Sequence, residues 1–177
     1  NDGTMEKDIN LEIATVLSEM LFFSGYDVVM TRSTDTGTED DSNQSISKRK
    51  VSDIKNRLNI INSYENSIFV SIHLNKFTSS SASGAQVFYS KNNKKSFELG
   101  NCIQLAVKSL LQNDNKRVIK QGTKNTYLLY HATKPAVIVE CGFLSNNAEL
   151  GCVKYPPLTI KRFESIESVA MVVNPPV

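Results

Sequence analysis

Apolar positions recur along the chain with two kinds of spacing, which predicts alternating helices and strands. Spacing of three to four residues predicts helices between Thr4 and Gly25, over 46–63 and over 97–111. Thr4 is a candidate N-cap of the first helix, Glu6 lies in its first turn, and Gly25 is a typical residue at its end. Short apolar or β-branched runs predict strands at 27–31, 67–72, 85–89, 126–130 and 136–139.

The intervening and C-terminal segments have a different pattern. Residues 32–45 and 78–83 are polar and predict loops. Asn146, followed three residues later by Glu149, is typical of a capping box that opens another helix. Pro156 and Pro157 exclude a helix at their positions, and the later apolar residues allow at most a short one over 163–173. Residues 151–177 are therefore interpreted as a divergent C-terminal tail.

The order of these elements defines the expected fold class. Strands separated by helices predict a single α/β domain, with a mostly parallel central sheet and helices on both faces. Ligands of such sheets bind beyond the carboxyl ends of the strands. His73 and Glu140 follow two of the predicted strands, so we expect both side chains at this rim.

Composition and charge exclude several classes of protein. A chain of 177 residues with 40% hydrophobic residues has the size and core of one domain. Twenty Lys and Arg against 18 Asp and Glu give a net charge of +2, which argues against a nucleic-acid partner. The sequence shows neither an apolar run long enough to span a membrane nor a signal-peptide pattern. Cys102, Cys141 and Cys152 form no CxxC pair, so we interpret them as ordinary thiols.

The residues expected at the rim could form a zinc hydrolase. Catalytic zinc binds three His, Glu or Asp side chains and keeps one position for water, while a carboxylate outside that set acts as general base. Glu6 and His73 would be ligands and Glu140 the base. Structural roles are the alternatives: Glu6 would favour the helix dipole, and His73 would be a core histidine. Glu140 is harder to explain structurally, because a carboxylate after a buried strand needs a partner or a function.

Other chemistries have less support. Ser71 lies two residues before His73 and would share its face of a strand, but no G-x-S-x-G segment is present. The sequence contains no Gly-rich phosphate-binding motif. His131, the only other histidine, is expected at the surface.

Three segments resemble motifs of the zinc-dependent N-acetylmuramoyl-L-alanine amidases, the amidase type 3 family. They are TMEKDINLEI (4–13), IFVSIHLN (68–75) and PAVIVECGFLSN (135–146). Thr31, Arg32 and Arg57 also match the family pattern. The stretch KRKVSDIKNRLNIIN (48–62), with SIHLNKF and GAQVFYS, is similar to the germination-specific spore-cortex branch. The resemblance extends from about Gly3 to Leu150.

The resemblance implies a specific reaction. Glu6 and His73 would bind Zn²⁺, and Glu140 would be the catalytic residue that activates water. The bond hydrolysed would be the amide between N-acetylmuramic acid and L-alanine of the peptidoglycan stem peptide, with the stem peptide and glycan as partners. In the spore-cortex branch this step leads to muramic-δ-lactam formation and germination. An extracytoplasmic location and an accessory protein for activation are also implied.

One element of the family pattern is missing from the numbering. The resemblance places the third zinc ligand, a His, upstream of residue 1, so residues 1–150 are expected to be the catalytic domain without its first strand and first zinc-ligand motif. The alternative function is a catalytically impaired module that binds peptidoglycan or a partner protein. Joint retention of Glu6, His73 and Glu140 favours hydrolysis. Loops 32–45 and 74–83 are candidates for substrate contact.

Overall fold

A computed structural model describes residues 5–40, 43–149 and 169–175 of the chain. The helices are α1 (Glu6–Phe23), α2 (Ile46–Ser63), α3 (Lys95–Leu110) and α4 (Tyr127–His131). The strands are β1 (Asp27–Met30), β2 (Ile68–Asn75), β3 (Gln86–Tyr89), β4 (Lys120–Gln121), β5 (Ala136–Phe143) and β6 (Val169–Asn174).

The described strands form one sheet in the order β1-β6-β2-β5-β3-β4. Two pairings, β2 with β5 and β3 with β4, are parallel. The other three pairings are antiparallel, because β6 enters between β1 and β2 and because β3 runs against β5. The α/β class with a single domain is therefore confirmed, whereas the sheet is mixed and not mostly parallel.

Helices cover both faces of the sheet, as expected. Helices α1 and α3 pack on one face, where Ala14, Val70 and Val139 belong to the same buried cluster. Helices α2 and α4 pack on the other face around Ile61 and Phe69. Burial of each large apolar side chain contributes about 1.5–3 kcal/mol, so these two layers supply most of the stability of the fold.

The strand predicted at 126–130 is wrong, because this segment forms α4. The Tyr130 and Ala132 amides donate to the carbonyls of Thr126 and Leu128 at 2.9 and 2.8 Å. Leu128 and Leu129 are buried against the sheet. Packing of these two leucines thus overrides the β propensity of the tyrosines that flank them.

The short helix predicted over 163–173 is also wrong for the part that the structure describes, because residues 169–174 form β6. Met171 and Val173 pack on the α1 face of the sheet, and Val172 packs on the α2 face. A strand buried on both faces has no polar alternation, so its pattern resembles that of a helix segment.

The expected capping box is half present. Asn146 Oδ1 accepts hydrogen bonds from the amides of Ala148 and Glu149 at 3.0 and 3.4 Å. The Glu149 carboxylate instead accepts from the amides of Gly84 and Phe143 at 2.6 and 2.9 Å. Glu149 therefore joins the loop before β3 to the end of β5.

Two remaining expectations concern thiols and membrane spans. Cys102 and Cys141 are free thiols, and Cys152 lies outside the described residues. Burial, with a smaller contribution from Glu140, raises the pKa of Cys141 to about 12. Among the helices of the described ranges, none is both long and apolar enough to cross a bilayer.

Candidate active site

The two central strands bring His73 and Glu140 side by side. These residues are direct partners in the parallel register of β2 and β5. Both strands continue past them, to Asn75 and Phe143, so the two residues lie inside the strands rather than at their ends. The expected juxtaposition at one rim is present, at a slightly deeper position in the sheet.

A pocket of about 370 Å³ opens beside these residues on the α2 and α4 side of the sheet. Alternation along the strands turns Ser71, His73, Ile138 and Glu140 towards it. The other walls come from the loop before α2, from α2 itself and from the start of α4: Glu39, Ile46, Arg49, Lys50, Asp53, Ile54, Asn125, Thr126, Tyr127 and Leu128.

Glu6 reaches the same rim from the opposite layer. Its Oε1 accepts hydrogen bonds from the Leu74 amide at 3.2 Å and from Asn10 Nδ2 at 3.1 Å. The same oxygen lies 3.4 Å from His73 Nδ1. A role limited to the helix dipole does not account for this position, because the carboxylate extends over the edge of β2.

His73 is held on both sides of its ring. Its Nε2 lies 3.1 Å from Ser71 Oγ, and its Nδ1 faces Glu6. Side-chain exposures of 24% for His73 and 20% for Glu6 leave both groups accessible to solvent. A core histidine bonded to a backbone carbonyl does not match these contacts. Ser71 itself is fully buried, which argues against its acting as a nucleophile.

The donor pair fits part of a zinc site. With metal–ligand distances of about 2.0–2.1 Å, two donors of a tetrahedral zinc site lie about 3.3 Å apart. The 3.4 Å separation of Glu6 Oε1 and His73 Nδ1 matches that value. The Ser71 contact at Nε2 is the kind of outer-shell hydrogen bond that orients a ligating histidine. The described residues contain no group of three His, Cys, Asp or Glu arranged to hold a metal.

Glu140 has the electrostatics of a proton carrier. Burial is the main cause that raises its pKa above the ordinary 4.5; Glu6 raises it further, while His73 opposes the shift. Its Oε2 is buried and accepts no hydrogen bond from the described part of the chain. A carboxylate that is desolvated and incompletely hydrogen-bonded is poised to take up a proton.

We expect Glu140→Gln to stabilise the metal-free protein increasingly as the pH rises. The raised folded-state pKa means that the native state binds the Glu140 proton more tightly than the unfolded state. Wild-type stability therefore falls as the pH rises through the interval between the unfolded and folded pKa values, and glutamine removes this loss. Thermal unfolding with a chelator should show similar Tm values near about pH 4 and a higher Tm for the variant near about pH 8. An equal Tm difference at both pH values would contradict the raised pKa.

A buried polar network holds the elements next to the rim in place. Arg57, with 0% exposure, donates from Nε and Nη2 to the Asp53 carboxylate at 2.7 and 3.1 Å and from Nη1 to Thr31 Oγ1. Burial alone would raise the pKa of Asp53, but hydrogen bonds from Arg57 and the Thr38 amide, with the Arg57 charge, lower it below the ordinary value. The network joins the end of β1 to α2.

A second part of this network holds the first turn of α1. Arg32 Nη2 donates to the Lys7 carbonyl at 2.6 Å, and Lys7 Nζ pairs with Asp35 Oδ2 at 2.5 Å. Lys7 is 2% exposed, so this ion pair is largely shielded from solvent. These contacts set the position of the neighbouring Glu6. The match of Thr31, Arg32 and Arg57 to a family pattern thus has a structural basis.

Several pocket residues were not predicted from the sequence. Glu39 lies in the predicted contact loop 32–45. Arg49 and Asp53 were not singled out, since charged residues on a helix are usually solvated. Tyr127 was not singled out because it was assigned to a strand. The predicted contact loop 74–83 contributes none of the described lining residues. His131 is exposed and contacts the rings of Tyr127 and Tyr130, as expected for a surface residue.

Comparison with known proteins identifies the class. Residues 1–162 match the N-acetylmuramoyl-L-alanine amidase family, Amidase_3, and the chain belongs to this family. It is 35% identical over 154 residues to the germination-specific N-acetylmuramoyl-L-alanine amidase of Bacillus subtilis (strain 168), a match that covers 85% of this chain and 64% of that protein. It is 28% identical over 156 residues to the N-acetylmuramoyl-L-alanine amidase LytC of the same organism, covering 86% of this chain and 28% of LytC. This chain therefore spans less than two thirds of either relative.

Solved structures show the same fold. The CwlD amidase from Clostridioides difficile, determined in complex with the GerS lipoprotein, matches with a TM-score of 0.79 and 40% identity, covering 85% of this chain and 77% of that one. An N-acetylmuramoyl-L-alanine amidase from Clostridium difficile 630 matches with a TM-score of 0.67 and 26% identity, over 86% of this chain and 78% of that one. The predicted family resemblance is confirmed.

Proposed function

We propose that this protein hydrolyses the amide bond between N-acetylmuramic acid and L-alanine of the peptidoglycan stem peptide. The observation that carries the proposal is the convergence of Glu6, His73 and Glu140, from α1, β2 and β5, on one accessible rim. Membership of the amidase family supports the same reaction.

The three residues divide the chemistry between them. Glu6 and His73 would hold Zn²⁺, with a histidine outside the described residues, expected upstream of residue 1, as the third ligand. Zinc, when bound, would polarise the substrate carbonyl and lower the pKa of water towards roughly 7. Glu140 accepts the proton of the attacking water and delivers it to the nitrogen of the departing L-alanine. Its place beside His73 in the register of β2 and β5 puts the carboxylate next to the proposed zinc ligands.

The named relatives support a biological setting for this reaction. Similarity to a germination-specific amidase and to CwlD supports a role in the spore cortex, outside the cytoplasm. Removal of stem peptides there would prepare muramic acid for conversion to muramic-δ-lactam during sporulation, which marks the cortex for germination. CwlD was solved with the GerS lipoprotein, and this supports an accessory protein for the present chain too.

We expect His73→Ala to remove zinc from the full-length protein. The variant loses one of the ligands, and metal affinity depends on ligand number and geometry. Zinc per chain, measured by elemental analysis after dialysis, should fall to a small fraction of the wild-type value. His131→Ala is the matched control, because it removes an exposed histidine on α4 and should leave the zinc content unchanged. Full zinc occupancy in His73→Ala would rule out His73 as a ligand.

A binding module without catalysis is the second candidate. The observation in its favour is that the part of the chain described by the structure contains no group of three His, Cys, Asp or Glu arranged to hold a metal. This candidate predicts that the purified protein, with zinc added, binds muramoyl peptides without releasing the stem peptide. The amidase proposal predicts that the stem peptide is released.

A further inference from the structure

A charged pair, Glu39 and Arg49, lines the same pocket as His73 and Glu140. Glu39 Oε1 accepts from Arg49 Nε and Nη2 at 3.1 and 2.6 Å. The Glu39 side chain is 9% exposed, whereas that of Arg49 is 28% exposed. Both residues contribute to the same pocket wall as Lys50, and this wall faces the pocket that His73 and Glu140 also line.

The two members of this pair differ in what a ligand can reach. Glu39 Oε2 is buried, so a ligand cannot contact it in this conformation. The hydrogen bonds of Arg49 to Glu39 use Nε and Nη2, and Nη1 takes no part in this contact. Arg49, whose side chain is 28% exposed, is therefore the member of the pair that can bind a ligand.

The loop that carries Glu39 is held firmly along α2. The Thr38 amide donates to Asp53 Oδ1 at 2.8 Å, and Asn56 Nδ2 donates to the Thr38 carbonyl at 2.6 Å. On the other side of Glu39, the Asp40 amide donates to Ser52 Oγ at 3.1 Å. Glu39 is therefore held in place, and its two hydrogen bonds fix the Arg49 guanidinium before any ligand arrives, which lowers the entropic cost of binding.

We propose that Arg49, oriented by Glu39, is a subsite for the peptide part of the substrate and binds a free carboxylate of that peptide. This inference rests on the proposed function, since Arg49 lines the same pocket as Glu140. Guanidinium groups bind carboxylates through charge-assisted hydrogen bonds.

The test measures binding of an N-acetylmuramoyl tripeptide in two forms, one with free peptide carboxyl groups and one with these groups amidated. The protein is the full chain with Glu140→Gln, so that the compounds are not consumed. Calorimetry should give binding about 10-fold or more tighter for the free acid than for the amide. Adding Arg49→Met should abolish this preference. Lys48→Met removes a charge from the neighbouring exposed position of α2, outside the pocket, and should preserve the preference.

Further variants separate recognition from folding. Arg49→Met leaves the Glu39 charge unpaired, so the double variant Glu39→Gln/Arg49→Met tests the same loss of preference in a neutral pair. Arg49→Lys keeps the charge without the planar donor geometry and should retain only part of the preference.

The possible outcomes are distinct for the subsite and for the reaction. Three results would each overturn the subsite. The preference for the free acid could be unchanged in both Arg49→Met variants, it could be lost equally in Lys48→Met, or the two compounds could bind equally or not measurably. Hydrolysis of the free acid by wild-type protein is measured in parallel. Hydrolysis combined with equal binding of the two compounds overturns the subsite alone. Tighter binding of the free acid without hydrolysis supports the subsite and overturns the proposed function.

Discussion

Glu140→Gln should lower hydrolysis of muramoyl peptides by at least roughly 10²–10⁴-fold while leaving the zinc content unchanged. Glutamine keeps the shape of the side chain but cannot accept and return a proton. The residue lies next to His73 in the register of the sheet and is not needed as a ligand in the proposed site. The measurement is kcat for peptide release, combined with zinc analysis of the same samples.

Glu98→Gln is the matched control for this change. Glu98 is exposed on α3, which packs on the opposite face of the sheet from the pocket, so its replacement should leave kcat unchanged. Wild-type turnover by Glu140→Gln would remove Glu140 from the chemistry. Loss of zinc together with activity would instead indicate that Glu140 is a ligand.

Arg57→Leu should destabilise the domain more than any surface substitution. The change leaves Asp53 desolvated without its partner and leaves Thr31 without the Arg57 donor. Breaking one side of a buried ion pair costs about 3–5 kcal/mol, which corresponds to a fall in Tm of roughly 10 °C for a domain of this size. Thermal unfolding followed by circular dichroism measures this shift.

Two comparison variants define the origin of that loss. Lys48→Met, on the exposed side of the same helix, should change stability by no more than about 0.5 kcal/mol. Asp53→Asn combined with Arg57→Leu should recover part of the loss, because no unpaired charge remains. A Tm within about 2 °C of wild type for Arg57→Leu would show that the network does not stabilise the fold.

The sequence correctly predicted the elements whose apolar positions recur with one clear spacing. Helix α2 has the predicted bounds because Ile54, Leu58 and Ile61 recur at helical spacing on the side that packs against the sheet. Elements α4 and β6 were mispredicted because their local pattern is ambiguous. Leu128 and Leu129 are buried by contacts with Ile61 and Phe69, and Val172 is buried between two strands that are distant in sequence. Such tertiary contacts are not encoded in local periodicity.

The candidate site, like the fold, was predictable only in part. His73 and Glu140 were expected together because parallel strands share an edge, and the register of β2 and β5 places them opposite each other. The approach of Glu6 required family resemblance, since nothing local shows that α1 crosses the end of β2. Glu39 and Arg49 gave no signal as a pair, because ten positions separate them and their pairing depends on the folded loop.

The most direct test of the amidase proposal is mass spectrometry of purified muramoyl peptides after incubation with the full-length protein and zinc. Hydrolysis of the amide predicts two products, an intact N-acetylmuramic acid and a free stem peptide with L-alanine at its amino terminus. The glycan should show no new reducing ends. Unchanged muramoyl peptide under conditions in which zinc is bound, or cleavage only within the glycan or between amino acids of the stem, would contradict the proposed reaction.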